Sequence, residues 1–263
     1  MAHPLLYVVA GLVVGVLIGL TGVGGGSLMT PILVMGFGQS PVIAVGTDLV
    51  FAATTKCVAV TSFGYQRRVD WRVVGRLAIG SLPSATAVIV WFWLTPRAEP
   101  VIDHVIMRGL AVMLVVTALG LLSQDRLQRL GLQLTAVSLE RVQRYKPALT
   151  IATGALLGAA VTLTSVGAGA LGVVALLYLY PLRLTPDRLI ATDIAHALPV
   201  TIIAGLGHAA LGHVNLPTLG LLLLGSIPGV LFASRTMIRL PQAVTRTLIA
   251  AMLIAAAARV VLS

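Results

Sequence analysis

Apolar residues run through this chain in long blocks, with polar residues gathered between the blocks rather than alternating within them. The blocks cover about 4–21, 27–38, 42–65, 72–94 and 104–123 in the first half, and 147–164, 170–181, 187–211, 215–234 and 243–262 in the second. Runs of about 20 apolar residues without strand-like alternation predict membrane-crossing helices and not a barrel. The second block of each half is short. About 12 residues at 1.5 Å each reach about 18 Å, against a hydrocarbon core of about 30 Å. These two pieces therefore cross as half of a broken pair, or dip in and return.

The two halves also match in sequence. Residues 15–26 read GVLIGLTGVGGG and residues 158–169 read GAAVTLTSVGAG, an offset of 143. Gly46-Thr47-Asp48 matches Ala191-Thr192-Asp193, Gly80-Ser81-Leu82-Pro83 matches Gly225-Ser226-Ile227-Pro228, and Pro96 matches Pro241, all at an offset of 145. Gly-interrupted apolar segments at corresponding places in two halves point to a transporter site at the repeat interface. The expected organisation is a first transmembrane repeat over 1–123, a linker over 124–146 and a second repeat over 147–263. The linker QDRLQRLGLQLTAVSLERVQRYK places Leu127, Leu130, Leu134 and Val137 at helical spacing among Arg and Gln, which predicts an amphipathic helix on the cytoplasmic surface.

Charge sets the orientation. Apolar residues make up 58% of the chain and charged residues 10%, where a soluble domain carries about 25%. If all five blocks of a half cross, the number is odd and the halves are inverted. One face then collects fourteen Lys and Arg, from Arg67 to Arg246, and the other only Arg97, Arg108 and Arg259. If the short blocks do not cross, the split is ten against seven. The positive-inside rule selects the first arrangement. The expected fold class is therefore all-α: a polytopic helical membrane protein built from two inverted five-segment repeats with short broken helices. It is expected in the bacterial cell inner membrane, multi-pass, with both termini periplasmic and the first block retained rather than cleaved as a leader. The net charge of +10 then belongs to cytoplasmic loops and not to nucleic-acid binding, for which no basic-aromatic platform is present. Trp71, Trp91 and Trp93 are spaced as interfacial belts. One cysteine, Cys57, excludes an internal disulfide.

The chemistry concentrates in a few places. The loops Thr21-Gly22-Val23-Gly24-Gly25-Gly26-Ser27 and Thr164-Ser165-Val166-Gly167-Ala168-Gly169 each end one helix and open the next, shorter one. Helix starts carry free N–H groups and partial positive charge, and the hydroxyls add donors, so the paired loops are candidate anion binders. The competing reading is that their glycines only let helices pack closely. Asp48 and Asp193 each follow a Thr within an apolar block, where a carboxylate is costly. They read either as capping groups or as gating and proton-coupling groups. Lys56 is the one cation well inside an apolar block, with Thr201 at its repeat-equivalent position. It is a partner for an acid or a counter-charge for a bound anion. His196, three residues after Asp193, is a proton relay or a satisfied core histidine. His208 and His213 are expected near the interface. Pro31, Pro83, Pro199 and Pro228 are expected to kink helices. No spacing suggests a metal site, and no nucleophile elbow or ATP-binding P-loop is present, so neither a cofactor nor an enzyme is expected.

With GLTGVGGGSLMTPIL followed by AVGTD, and SVGAGALG followed by ATD, the chain resembles the sulfite exporter TauE/SafE family over nearly its whole length. The second copy departs from the pattern at Ala168, and Val174 stands where Pro31 stands in the first. The resemblance implies transport of sulfite, sulfoacetate or another organosulfonate across the inner membrane, in the direction of export. Small carboxylates or other oxyanions are the alternative cargo. The implied partners are a small anionic substrate and the lipid bilayer; the proton as coupling ion is the gating and proton-coupling reading of Asp48, Asp193 and His196, and a homodimer is an open alternative that no residue specifies. A negative-inside potential drives anions outward by about 2.3 kcal/mol per charge per 100 mV.

Overall fold

In the computed structural model, residues 3–21, 26–63, 69–95, 99–137, 139–167, 169–235 and 242–262 are described. They are helical almost throughout: α1 (Pro4–Thr21), α2 (Gly26–Pro31, continuing as a π-helical turn over Ile32–Gly36), α3 (Pro41–Phe63), α4 (Trp71–Leu94), α5 (Glu99–Leu122), α6 (Gln124–Val137), α7 (Leu139–Thr164), α8 (Ala170–Leu179), α9 (Pro186–Ala210), α10 (Leu216–Arg235) and α11 (Gln242–Leu262). Among the described residues there is no strand, and six helices are long and apolar enough to cross a membrane. The chain is a multi-pass helical membrane protein.

Most helices begin and end within about two residues of the apolar blocks, because in lipid each backbone group must be satisfied inside its own helix. Two start earlier. α5 opens at Glu99, and α7 opens at Leu139, carrying LERVQRYK ahead of its apolar part. Those polar residues are good helix formers that hydropathy does not register. The π-turn follows directly on Pro31, which has no N–H to continue the α-helical ladder. Helices α4, α9 and α10 run unbroken through Pro83, Pro199 and Pro228. Trp71 opens α4 and Trp91 and Trp93 lie near its end, all three turned outward, about 30 Å apart along the helix.

Close packing uses glycine as the contact. A Cβ at Gly11 or Gly15 of α1 would collide with the backbone of Leu222 or Ser226 in α10, and a Cβ at Gly225 with that of Val8. The second half repeats the arrangement with partners exchanged. A Cβ at Gly154 or Gly158 of α7 would meet the backbone of Leu77 or Ser81 in α4, and one at Gly80 that of Ile151. Lipid tails are as apolar as the helices, so close backbone approach replaces hydrophobic burial as the source of cohesion.

Helices α3 and α9 cross in the middle of the protein. Gly46 lies against His208 and His213, and Gly205 against Leu49 and Val50, so the two helices run antiparallel. Around them Phe51, Leu110, Leu114 and Leu222 form one apolar core, and Val45, Leu49, Phe92, Ile106 and Val200 another.

Candidate functional site

The α3–α9 crossing holds the buried charges. Asp48 and Asp193 each lie about two turns inside their helix, so neither caps it. Asp48 Oδ2 accepts the Thr30 N–H at 3.1 Å and also the Thr30 hydroxyl, tying α2 to α3. The Ser165 hydroxyl lies beside the same carboxyl without meeting hydrogen-bond geometry. Asp193 packs against α8 at Gly172, where a Cβ would collide with its Oδ1. Lys56 is 2% exposed and lies in electrostatic reach of Asp193 and of Asp48. Asp48 Oδ1, Lys56 Nζ, Asp193 Oδ2 and Ser165 Oγ are all buried and have no hydrogen-bond partner among the described residues. Buried polar groups are nearly always paired, so these four atoms make the crossing the candidate site.

The structure thus places Asp48 and Asp193 within electrostatic reach of Lys56, and Ser165 beside Asp48. It turns His196 to a different partner: Nε2 is 2.9 Å from Ser81 Oγ on α4. Thr164 closes its own turn, donating to the Ala160 carbonyl at 2.7 Å and accepting the Val166 N–H at 3.2 Å. Ser165 has φ +57°, Gly167 +118° and Gly169 +125°, backbone that the glycines adopt without the Cβ penalty Ser165 carries. Gly169 is the N-cap of α8, and the N–H groups of Gly172 and Val173 donate to Gly167 O and Gly169 O at 3.2 and 3.3 Å. Of the first loop, Gly22, Gly24 and Gly25 lie outside the described residues, as do the side chains of Thr21 and Ser27, while Gly26 opens α2. Among the described residues no group of three His, Cys, Asp or Glu could hold a metal ion. His208, in the last turn of α9, is fully buried against protein: its Nε2–H donates to the Thr162 carbonyl at 3.0 Å, and its ring meets the Phe92 ring edge-on at 5.3 Å.

Two latches flank the charges. The Thr47 hydroxyl oxygen accepts the Asn215 N–H at 3.0 Å, and the Thr192 hydroxyl oxygen accepts the Asp70 N–H at 3.1 Å. Each threonine immediately precedes a buried aspartate, and each reaches the start of the fourth helix of the other half. Asp70 and Asn215 cap those helices, Asp70 Oδ1 accepting the Val73 N–H at 3.3 Å and Asn215 Oδ1 the Thr218 N–H at 3.1 Å. Thr47 and Thr192, and Asp70 and Asn215, share the 145-residue offset, which is the signal that could have found the latches before the structure. The difference between them is charge. Arg183 holds Asp70 with two bonds, Nε to Oδ2 at 2.7 Å and NH2 to Oδ1 at 3.0 Å. On the other side Gln39 Nε2 donates to Thr218 Oγ1 at 3.0 Å, and no ion pair is present there among the described residues.

Burial pushes the Asp70 carboxyl up, but the bonds from Arg183 and Val73 and the charges of Arg183 and Arg188 outweigh it and hold the carboxyl below the usual carboxylate range. Its contribution to stability is therefore present above the ordinary value of about 3.9 and lost as pH falls through the lower folded value. Asp70→Asn keeps a capping oxygen and removes the charge. The expected loss at neutral pH is about 0–1 kcal/mol, since Arg183 is partly exposed. Asp70→Ala also loses the cap, about 1 kcal/mol more. Thermal melts of the three proteins from neutral to acid pH check this: wild type should converge on Asp70→Asn at the acid end, and parallel curves would exclude the ion pair as the source.

Sequence comparison gives the family. The profile of the sulfite exporter TauE/SafE family matches residues 7–260. This chain belongs to the sulfite exporter TauE/SafE family. A relative in Bacillus subtilis (strain 168), described as "Probable membrane transporter protein YjnA", is 40% identical over 227 residues, covering 86% of this chain and 87% of the relative. No solved structure matches the chain. The family and the relative's description together support a membrane transporter, and the buried charges at the α3–α9 crossing lie within the region the TauE/SafE profile covers.

Proposed function

We propose that the protein is a secondary carrier for a small sulfur-containing oxyanion such as sulfite, sulfoacetate or another organosulfonate. In this reading it exports the anion across the inner membrane by alternating access around the α3–α9 crossing. The observation that carries the reading is the buried Lys56 ammonium, without a hydrogen-bond partner and within electrostatic reach of one aspartate from each half, Asp48 having the Ser165 hydroxyl beside it. An oxyanion offers several acceptors and no metal requirement, and Lys56, Ser165 and the Gly-rich loops offer donors. In this proposal Thr21, Gly22, Gly24, Gly25, Gly26 and Ser27 line one side of the site and Thr164, Ser165, Gly167 and Gly169 the other. Two features support inverted halves. Repeat-equivalent helices α3 and α9 run antiparallel, and the glycine contacts of α1 with α10 recur between α7 and α4. The two threonine latches are the gates in this scheme, each joined by one peptide bond to an aspartate of the site. The termini then lie outside.

Thermal stability of the purified protein with sulfite, sulfoacetate, taurine or acetate, followed by uptake into proteoliposomes, tests the reading. Sulfur oxyanions should stabilise and move. If acetate does so and they do not, the cargo is a carboxylate; if no anion binds or moves, the carrier reading fails. Gly25→Leu is expected to abolish uptake with the protein still folded. The control is Gly36→Leu, because a Cβ there meets only Ile32 Cγ2 at 3.9 Å. Equal losses in the two variants would assign the first glycine loop to packing.

A further inference from the structure

The charges at the α3–α9 crossing do not balance. Asp48 from one half and Asp193 from the other are buried within electrostatic reach of a single ammonium, Lys56, and the position equivalent to Lys56 in the second half is Thr201. Among the described residues, Lys56 is the charged group acting on each acid, and the two acids are those acting on Lys56. The other groups facing them are few. Thr30 of α2 and Ser165 of the α7–α8 loop face Asp48, and Gly172 of α8 lies against Asp193. His196, one turn further along α9, is bonded to Ser81 of α4. A net charge buried inside a membrane is costly, whichever sign it has.

We infer that this triad takes up one proton with each monoanion it carries, which makes transport an electroneutral proton–anion symport. The inference rests on the oxyanion reading above and names its coupling ion. Before the anion enters, Lys56 balances one carboxylate and the other is protonated, giving a sum of zero. A monoanion placed on Lys56 adds one negative charge. The remaining carboxylate then takes a proton, the sum returns to zero, and both carboxylic acids become O–H donors toward the guest. Release sends the anion and one proton to the same side. The titration belongs to the pair of acids and not to either one alone. A second negative charge on the guest would find no carboxylate left to protonate. The site therefore selects monoanions: hydrogensulfite, monosulfonates, and sulfoacetate in its singly charged form. The membrane potential does no net work on such a cycle, so export runs down the anion's own outward gradient, which must exceed any inward pH difference.

The full-length protein in proteoliposomes tests this with labelled isethionate, a permanently ionised monosulfonate. An inwardly directed proton gradient of one pH unit should concentrate isethionate about tenfold. A potassium diffusion potential of either sign, without a pH difference, should not concentrate it at all. Accumulation driven by the potential overturns the inference and leaves the carrier reading standing. Failure of isethionate, sulfite and acetate alike to bind or move overturns both. Asp48→Asn with Asp193→Asn removes both proton acceptors, and its residual uptake should follow the potential and ignore the pH gradient. Each single variant keeps one titrating acid and should remain electroneutral. The wild-type response to potential decides the matter even if the double variant does not fold.

Discussion

Lys56→Gln is expected to abolish anion binding and uptake while the protein still folds. The ammonium is buried and has no hydrogen-bond partner among the described residues, so its removal breaks no bond that holds helices together. It also relieves the cost of a buried charge, leaving two acids that can both stay neutral. The guest anion loses its one counter-charge. Losing a buried, charge-assisted partner costs about 2–4 kcal/mol, or roughly 30- to 1,000-fold in affinity. Lys56→Arg keeps the charge and should retain more binding than Gln. Thermal stability with and without sulfite, read beside proteoliposome uptake, separates the outcomes. A glutamine variant that still binds sulfite with wild-type affinity would remove Lys56 from the site and, with it, the charge ledger of the proposed symport.

The second large effect concerns assembly. Gly15→Ala in α1 and Gly158→Ala in α7 add one methyl where the facing backbone of Ser226 or Ser81 leaves no room. Overpacking of this kind costs about 1–3 kcal/mol or more, because two helices must move apart along their whole contact. The same substitution at Gly75 or Gly220, where a Cβ meets nothing within 4 Å, should be neutral or stabilising by about 0.5–1 kcal/mol through helix propensity. Thermal unfolding of the detergent-purified variants checks the contrast. Similar losses at Gly15 and Gly158 are expected, since the two sites are repeat equivalents with exchanged partners. A loss at Gly75 as large as at Gly15 would show that the effect is general to glycine in these helices and not to close approach.

Much of this protein was legible before its structure. The apolar blocks placed the helices because membrane helices are fixed by local composition: a run of apolar residues must satisfy its own backbone wherever it lies. Lys56, Asp48 and Asp193 stood out for the same reason, as charges where charge is costly. Periodicity could not show which partner each would meet. Lys56 and Asp48 sit on one helix, yet Lys56 also reaches Asp193, far along the chain on α9. Thr47 and Thr192 looked like neighbours of the important residues, and folding made them the links to Asn215 and Asp70. His196 and His208 found ordinary partners in Ser81 and the Thr162 carbonyl. The repeat offset recorded that two halves match, while the exchange of partners between them arises from packing. Local hydropathy is a property of each segment taken alone. A hydrogen bond between residues more than a hundred positions apart depends on how whole helices stack, and nothing in either segment encodes that by itself.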